Sequence, residues 1–220
     1  MGNVVNLKIY DPNKFHSLLT VNKNEVMRYG GMMTSRSLVS PDESDEAKAE
    51  VIKLIDECMA EAMPVLTYKV CYRRVRVDWE DNVPVLPFDH FGSLNLANNL
   101  KGCNEAVMFG ATIGVGIDRL ITKYNHLSPS KALIMQALGA ERVEALCDLF
   151  NDEIKEEAAG SGLSCKPRFS PGYGDLPLAV QKEFVAILDC AHLIGINLNE
   201  SMLMSPSKSV TAIIGLYGSI

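Results

Sequence analysis

A segment rich in proline and glycine interrupts the second half of the chain. Residues 166–175 read Lys-Pro-Arg-Phe-Ser-Pro-Gly-Tyr-Gly-Asp, so two prolines and two glycines fall within ten residues. A helix does not continue through this composition, because proline lacks a backbone donor and glycine is conformationally permissive. Pro171 fixes φ at about −65°, and Gly172 accepts the positive φ that a tight turn needs. The segment therefore predicts a rigid turn, with a helix directly after it.

Two side chains beside this turn are suited to binding a small molecule. The Arg168 guanidinium is a planar fork that can bind a carboxylate through two hydrogen bonds. The Tyr173 ring is a flat aromatic surface that can stack on a base. The alternative interpretation is a proline turn that only leads into a helix, with Arg168 in a surface ion pair. The ten residues alone leave both interpretations open.

Composition excludes several classes of protein. The chain of 220 residues carries a formal net charge of −6, and 47% of its residues are hydrophobic. A general nucleic-acid-binding protein would be basic, so we expect no nucleic-acid partner. No apolar stretch reaches the roughly 18 residues of a membrane-spanning helix, and residues 1–8 lack a signal-peptide pattern. We therefore expect no membrane association.

The cysteines and histidines give no sign of a metal site or a catalytic group. The six cysteines include no C-x-x-C pair, which predicts free thiols in a reducing cytoplasm. The four histidines lie too far apart in sequence for ligand spacing, so we expect no metal. No Ser/His/Asp or Cys/His grouping indicates a hydrolase. Gly114-x-Gly116 lacks the third glycine of a dinucleotide fingerprint, because residue 119 is arginine, and predicts close backbone packing.

The spacing of apolar residues predicts both strands and helices. Predicted strands cover residues 7–10, 66–77, 83–86, 105–115 and two arms within 199–215. Predicted helices cover residues 23–29, 40–62, 93–100, 119–125, 130–158 and 176–194. Ser40 is the predicted N-cap of the second of these helices. The alternation slips at Arg73-Arg74, which predicts a bulge or bend in that strand.

Several motifs, in one order, resemble the activation domain of cobalamin-dependent methionine synthase. The resemblance covers roughly residues 85–217 and leaves residues 1–80 without a match. The motifs that carry it are Ala106-Val-Met-Phe-Gly-Ala-Thr-Ile-Gly-Val-Gly-Ile-Asp118, Ala140-Glu-Arg-Val-Glu144, Arg168-x-Ser-Pro-Gly-Tyr173, Ile194-Gly-Ile196 and Asn199-Glu-Ser-x-x-Met-x-Pro-x-x-Ser-Val210. Ser205-Pro-Ser207 departs from the family, which has Trp-Pro-Gly there.

The resemblance implies a binding site for S-adenosylmethionine. It assigns the ligand carboxylate to Arg168 and the ligand ammonium to Glu144. It places the ligand's adenosine against the backbone around Ser170 and Gly172 and against Tyr173. Pro171, Glu200 and Ser201 are implied as supporting residues. A guanidinium for the carboxylate and a carboxylate for the ammonium suit a zwitterionic ligand.

The resemblance also implies partners. Cobalamin is carried by another domain or by a separate corrinoid protein, and a flavodoxin-like protein is the expected electron donor. Because the sulfonium of the ligand is already reactive, methyl transfer needs positioning and little acid–base help. No catalytic residue is therefore expected on this chain, and we expect it to be one component of a methyltransferase.

Taken together, the sequence predicts an α+β fold, an antiparallel sheet with packed helices and an N-terminal helical element. We expect residues 1–80 to form an extension packed on an S-adenosylmethionine-binding region at residues 81–220, within one continuous domain. The predicted function is reductive reactivation of cobalamin in a methionine synthase or a related corrinoid methyltransferase. The alternative is a scaffold protein that kept the fold and lost the ligand, because the family continues beyond the position of Ile220.

Overall fold

The computed structural model describes residues 4–32 and 41–218. Its helices are α1 (Pro12–Leu18), α2 (Lys23–Tyr29), α3 (Pro41–Ala62), α4 (Leu94–Leu100), α5 (Gly116–Leu127), α6 (Pro129–Gly160), α7 (Gln181–Ile187) and α8 (Cys190–Leu193). Its strands are β1 (Asn6–Tyr10), β2 (Tyr68–Arg76), β3 (Asp78–Glu80), β4 (Val83–Val85), β5 (Glu105–Thr112), β6 (Leu163–Cys165), β7 (Asn197–Leu198), β8 (Met204–Ser205) and β9 (Ser209–Gly218). No helix in the described part of the chain is long and apolar enough to cross a membrane.

Five strands form the main sheet, in the spatial order β1-β2-β5-β9-β6. Every neighbouring pair is antiparallel. β5 lies at the centre, which explains its continuous apolar run, because a strand covered on both faces has no polar face. Met108 and the adjacent Phe109 accordingly belong to two different hydrophobic clusters. The predicted α+β class, with an antiparallel sheet and packed helices, is confirmed.

The long helix α6 covers the first face of the sheet. The ring centroid of Phe150 on α6 lies 5.0 Å from that of Phe109 and 5.2 Å from that of Tyr72. Helices α2, α3 and α5 contact α6 in turn. Burial on so many sides explains why α6 keeps apolar residues over most of its 32-residue length.

Helices α4, α7 and α8 supply residues to the cluster on the second face. Gly110 of β5 allows α8 to come close, because a Cβ atom there would lie 2.8 Å from Cys190 Sγ. The Sγ atoms of Cys190 and Cys71 are 3.4 Å apart and both residues are buried. This contact joins α8 to β2 across the central strand.

A buried ion pair attaches the N-terminal elements to α6. Arg142 and Glu141 are 1% and 6% exposed, and Arg142 Nε donates to Glu141 Oε2 at 2.5 Å. Arg142 Nη1 also donates to the Leu19 carbonyl oxygen at 2.8 Å. The Asn22 backbone N–H donates to Glu141 Oε1 at 3.1 Å. Both buried charges thus bond the chain segment between α1 and α2, which satisfies them away from water.

Of the bulge or bend predicted in the strand at residues 66–77, the bulge is wrong. β2 pairs with β5 one residue to one, from Lys69 opposite Thr112 to Arg76 opposite Glu105. The apolar slip arises because the covering layer changes along β2. Tyr72 packs with the α6 cluster, whereas Val75 packs with the cluster on the other face. A bulge interrupts the alternation of apolar residues in a strand, and so does a change in which face of the strand is buried.

The predicted helix at residues 176–194 is interrupted. It consists of a 3₁₀ turn (Leu178–Val180), α7 and α8, with Asp189 at φ 48° between the two helices. The apolar stripe hides this break because Leu188 and Ile194 are buried on either side of it. The predicted N-cap Ser40 lies outside the described residues.

Helix α1 is an element that the apolar pattern missed. Its signals are capping signals, Asp11 accepting from the Asn13 backbone N–H at 2.9 Å and Pro12 at the first position. The prediction of close backbone packing at Gly114-x-Gly116 is confirmed. A Cβ atom on Gly116 would lie 2.2 Å from the Val65 carbonyl oxygen.

Candidate functional site

The proline–glycine segment is fixed to the edge of the main sheet. The Lys166 N–H donates to the Gly215 carbonyl oxygen at 2.8 Å. Phe169 and Ile213 exchange two backbone hydrogen bonds, at 2.9 and 2.8 Å. The segment therefore runs along β9 where the short strand β6 has ended. This attachment places the next residue, Ser170, beside the start of β9.

The turn itself follows the expected geometry. The Tyr173 N–H donates to the Ser170 carbonyl oxygen at 3.0 Å, and the Gly172 N–H donates to the Leu176 carbonyl oxygen at 2.9 Å. Gly172 has φ 89°, a conformation that a residue with a side chain adopts only under strain. Pro171 is buried, whereas Tyr173 is 56% exposed. One side of the turn thus packs inward and the other presents an aromatic ring.

Asp175 fastens the far end of the turn to α4. Its Oδ2 atom accepts from the Leu94 N–H at 2.9 Å, and its Oδ1 atom accepts from the Ser93 hydroxyl and from the Asn95 N–H at 3.2 Å. The Ser93 hydrogen bond, assisted by these backbone donors, lowers the pKa of Asp175. Sequence reasoning missed this role, because the partners lie some 80 residues apart.

A pocket of about 170 Å³ opens between this turn, α6 and the start of β9. Five of the predicted site residues line it, namely Glu144, Arg168, Ser170, Pro171 and Tyr173. The other lining residues are Gln181, Met204, Ser209, Val210 and Thr211. The structure therefore brings together residues that are up to 67 positions apart (Glu144 to Thr211).

Three predicted residues lie outside this lining. Gly172 shapes the turn, and a Cβ atom on it would lie 3.3 Å from Leu178 Cδ1. Glu200 and Ser201 are exposed in the connection between β7 and β8, where the Ser201 N–H donates to Asn199 Oδ1 at 2.9 Å. The neighbouring Met202 is linked to the pocket through the lining residue Gln181, whose Nε2 atom donates to the Met202 carbonyl oxygen at 2.8 Å.

The charges in the pocket are opposite and adjacent. Arg168 Nη2 donates to Glu144 Oε2 at 2.5 Å, and Arg168 Nη1 lies 3.0 Å from Asp148 Oδ1. Burial by itself lowers the pKa of Arg168, but Cys147 and the two carboxylates outweigh it, so the pKa is raised. Arg168 is therefore a permanent cation held between carboxylates one helical turn apart on α6. Asp148 is not among the residues that the sequence predicted for the site.

Two polar atoms of the pocket residues lack hydrogen bonds. Thr211 is 2% exposed, and its buried Oγ1 atom has no hydrogen-bond partner among the described residues. The buried Arg168 Nη1 atom makes no hydrogen bond within residues 4–32 and 41–218, but it is paired with the Asp148 carboxylate, whose Oδ1 atom lies 3.0 Å away. Unsatisfied buried groups are uncommon in native proteins and need an explanation.

A larger cleft of about 790 Å³ lies elsewhere, along the end of β2 and residues 85–87. It contains none of the predicted site residues. Arg74 on its wall is bonded to Glu105 at 2.7 Å, and Arg76 is bonded to Asp78 at 2.6 Å. The smaller pocket is the stronger candidate because five of the predicted site residues converge on it. No group of three potential metal ligands occurs in the described part of the chain.

Comparisons with known proteins identify the fold and the family of the chain. A crystal structure described as the MetH reactivation domain bound to AdoHcy superimposes with a TM-score of 0.65 at 14% sequence identity. The match covers 96% of this chain and 78% of that one, which establishes a shared fold. No curated protein sequence matches the chain. The sequence model described as "Vitamin B12 dependent methionine synthase, activation domain" matches residues 96–218, so the chain belongs to that family.

Proposed function

We propose that this protein binds S-adenosylmethionine in the pocket beside Arg168 and presents its methyl group to a cobalamin held by a partner. The observation that carries the proposal is the Arg168–Glu144 pair, whose charged atoms lie 2.5 Å apart in the pocket. A ligand with an α-ammonium and an α-carboxylate is complementary to such a pair. The structural relative was solved with AdoHcy, the demethylated form of the same ligand.

Binding in this arrangement exchanges one ion pair for two. The ligand carboxylate takes the place of Glu144 at the Arg168 guanidinium, and the ligand ammonium binds Glu144. Asp148 stays beside Arg168 Nη1, 3.0 Å away. Neither Arg168 nor Glu144 is left without an opposite charge during the exchange. The zwitterionic end of the ligand therefore fixes its orientation.

The adenosine end lies outside the narrow pocket in this proposal. The pocket holds about 170 Å³, less than the roughly 300–1,000 Å³ of sites that enclose a whole drug-sized ligand. Tyr173 is exposed at the pocket rim and offers an aromatic face for the base. The adjoining turn is rigid, so the base and the amino-acid end are held at a fixed separation. The sulfonium then lies between them, near the pocket mouth.

The chain's own residues act by positioning. The sulfonium is already activated, so the methyl group leaves it without a nucleophile or a general base from this protein. Inactive cob(II)alamin on the partner would take up one electron from a flavodoxin-like donor together with the methyl group, and S-adenosylhomocysteine would remain. Cobalamin on the partner, either a cobalamin-binding domain or a corrinoid protein, is the methyl acceptor. Glu144, Arg168 and Tyr173 orient the ligand toward that acceptor.

We further propose that the protein works in the cytoplasm and that residues 1–80 belong to the same folding unit as residues 81–220. Every cysteine is in the thiol form, and all except Cys165 are buried, as suits a reducing compartment. The N-terminal segment supplies β1 and β2 to the main sheet, and the buried Glu141–Arg142 pair bonds it to α6. A boundary at residue 80 would divide the hydrophobic cluster on the first face.

A scaffold role without ligand is the second candidate. The small volume of the pocket and the bonding of Arg168 by the chain's own carboxylates favour it. In that case the pair is a structural link between the turn and α6. The two candidates differ in whether Arg168 has to exchange its partner.

The test is calorimetric titration of the purified chain with S-adenosylmethionine and with S-adenosylhomocysteine. We expect saturable binding that Arg168→Ala abolishes. Arg74→Ala is the matched control, because Arg74 is also a partly buried, carboxylate-bound arginine but lies in the other cleft. Binding should survive in the control. Absence of binding at millimolar ligand, with and without an added cobalamin protein, would favour the scaffold.

A further inference from the structure

Thr211 differs from the other buried hydroxyls of the main sheet. The Ser209 hydroxyl, two residues earlier on β9, donates to Thr112 Oγ1 at 2.8 Å and lies 2.8 Å from the Pro206 carbonyl oxygen. The Thr112 hydroxyl in turn accepts from the Gly114 N–H at 3.1 Å. Thr211 Oγ1 is buried to a similar degree and has no such partner in the described part of the chain. The contrast singles out one hydroxyl on the pocket wall.

A partner for this hydroxyl is needed on physical grounds. A buried hydroxyl without a hydrogen bond is less favourable than an apolar group of the same shape. Valine has that shape and suits a strand equally well. The free protein therefore gains nothing from the oxygen of Thr211. A ligand bound in the pocket supplies the missing partner.

The charge of the pocket indicates what that partner is. Arg168 lines the same pocket, with its Nη2 atom bonded to Glu144 Oε2 at 2.5 Å and its Nη1 atom 3.0 Å from Asp148 Oδ1. A guanidinium N–H can only donate, and a threonine hydroxyl can donate to an anion. Two donors that converge on a pocket of about 170 Å³ match the two oxygen atoms of one carboxylate. A neutral acceptor such as a thioether would leave one of them unbonded.

We infer that the Thr211 hydroxyl donates a hydrogen bond to the carboxylate of the ligand's amino-acid moiety, alongside Arg168. The inference rests on the proposed function. It makes Thr211 a specificity-determining residue. Adenosine thioethers that have an amino-acid carboxylate gain this hydrogen bond, and those without one do not. Thr211 therefore favours S-adenosylhomocysteine over 5′-methylthioadenosine at the same site.

The test compares these two ligands by calorimetry on Thr211→Val and Thr211→Ser. We expect Thr211→Val to lower the affinity for S-adenosylhomocysteine about tenfold, which is typical of losing a hydrogen bond to a charged group. Its affinity for 5′-methylthioadenosine should stay within about twofold, because that ligand has no carboxylate to lose a bond. Thr211→Ser keeps the hydroxyl and should bind S-adenosylhomocysteine within about threefold of the unmodified chain.

Controls separate this role from a structural one. Thr122→Val removes a hydroxyl that is bonded to the Asp118 carbonyl oxygen on α5, away from the pocket, and should change neither affinity. Thr211→Ala repeats the loss of the hydroxyl if the valine variant does not fold.

The outcomes are distinct. Equal S-adenosylhomocysteine affinity in Thr211→Val and the unmodified chain would overturn the inference and leave the proposed function intact. An equal loss of affinity for both ligands would show that Thr211 has a packing role and would also overturn the inference. If the unmodified chain binds neither ligand, the proposed function fails and the inference falls with it.

Discussion

Arg168 and Glu144 meet across the gap between the proline–glycine turn and helix α6, with Arg168 Nη2 bonded to Glu144 Oε2 at 2.5 Å. Glu144 lies on α6, and Arg168 lies in the turn that follows β6. The pairing of β6 with β9 fixes where that turn begins. The side chains are 25% and 39% exposed, so the pair lies at the pocket wall and is accessible to a ligand. The proposed function requires this pair to open when the ligand binds.

The first prediction concerns Glu144. Glu144→Gln removes the charge that would bind the ligand ammonium, and we expect the affinity for S-adenosylhomocysteine to fall at least about tenfold. Asp148→Asn is the matched control on the same face of α6. Its side chain is 70% exposed, so solvent screens its charge and the affinity should change less than about threefold. Calorimetry measures both, and equal losses would contradict the assignment.

The second prediction concerns stability at Thr211. Thr211→Val removes a buried hydroxyl that has no hydrogen bond in the described residues, so the ligand-free protein should gain about 1 kcal/mol in unfolding free energy. Urea unfolding measures the change. Ser209→Ala should have the opposite effect, because it removes a buried hydroxyl that is hydrogen-bonded to Thr112 Oγ1 at 2.8 Å. A destabilised valine variant would mean that the hydroxyl has a partner in the free protein.

The third prediction concerns the buried pair on α6. Arg142→Met leaves Glu141 as an unpaired buried carboxylate, and the loss should be about 3–5 kcal/mol of unfolding free energy.

We expect Trp79 fluorescence and helical circular dichroism to report one coincident transition in the unmodified chain, since both halves share the sheet. Two separate transitions would show that residues 1–80 form an independent unit.

The fourth prediction concerns pH. Burial and the nearby Arg142 cation lower the pKa of His16 below its usual 6.5. Since the folded-state pKa is depressed, the neutral form is favoured on folding. This contribution is complete above pH 6.5 and is lost as the pH falls below that value through the folded-state pKa.

Urea midpoints at pH 7.5 and at successively lower pH measure this dependence. We expect the unmodified chain to lose more stability on acidification than His16→Gln does. His126→Gln, at the exposed end of α5, is the control and should follow the unmodified chain. Parallel curves for His16→Gln and the unmodified chain would refute the assignment.

The fifth prediction tests the contact of α8 with the central strand. Gly110→Ala places a methyl group 2.8 Å from Cys190 Sγ, and such overpacking should cost about 1–3 kcal/mol of unfolding free energy. Cys190→Ala removes the obstructing sulfur. The double variant should recover part of the loss, so the two effects are not additive. Simple additivity in urea unfolding would argue against the contact.

The order of the elements could be predicted from the sequence, but some of their geometry could not. β5 and α6 were found because long apolar patterns persist whichever neighbours cover them. The slip in β2 was misread because it records which layer covers Tyr72 and which covers Val75, and that depends on helices distant in sequence. The break at Asp189 was missed because Ile187, Ala191 and Ile194 keep a helical spacing across it.

The candidate site could be predicted only where its chemistry is local. Arg168 and Tyr173 flank a turn whose composition is distinctive. Asp148 and Thr211 gave no comparable signal, since a carboxylate on a helix and a threonine in a strand are both ordinary. Only the fold shows that Asp148 meets Arg168 and that Thr211 lacks a partner. The part of Thr211 in ligand binding stays a prediction.

The fixed turn at residues 166–175 has a thermodynamic consequence. Hydrogen bonds from Lys166 and Phe169 to β9, and from α4 to Asp175, hold it at both ends in the free protein. Ordering a free loop costs roughly 1–2 kcal/mol of backbone entropy for each residue. Because this turn is already ordered in the free protein, ligand binding would not lose this entropy. The interaction energy at this turn is then available for affinity, and binding requires no disorder-to-order transition.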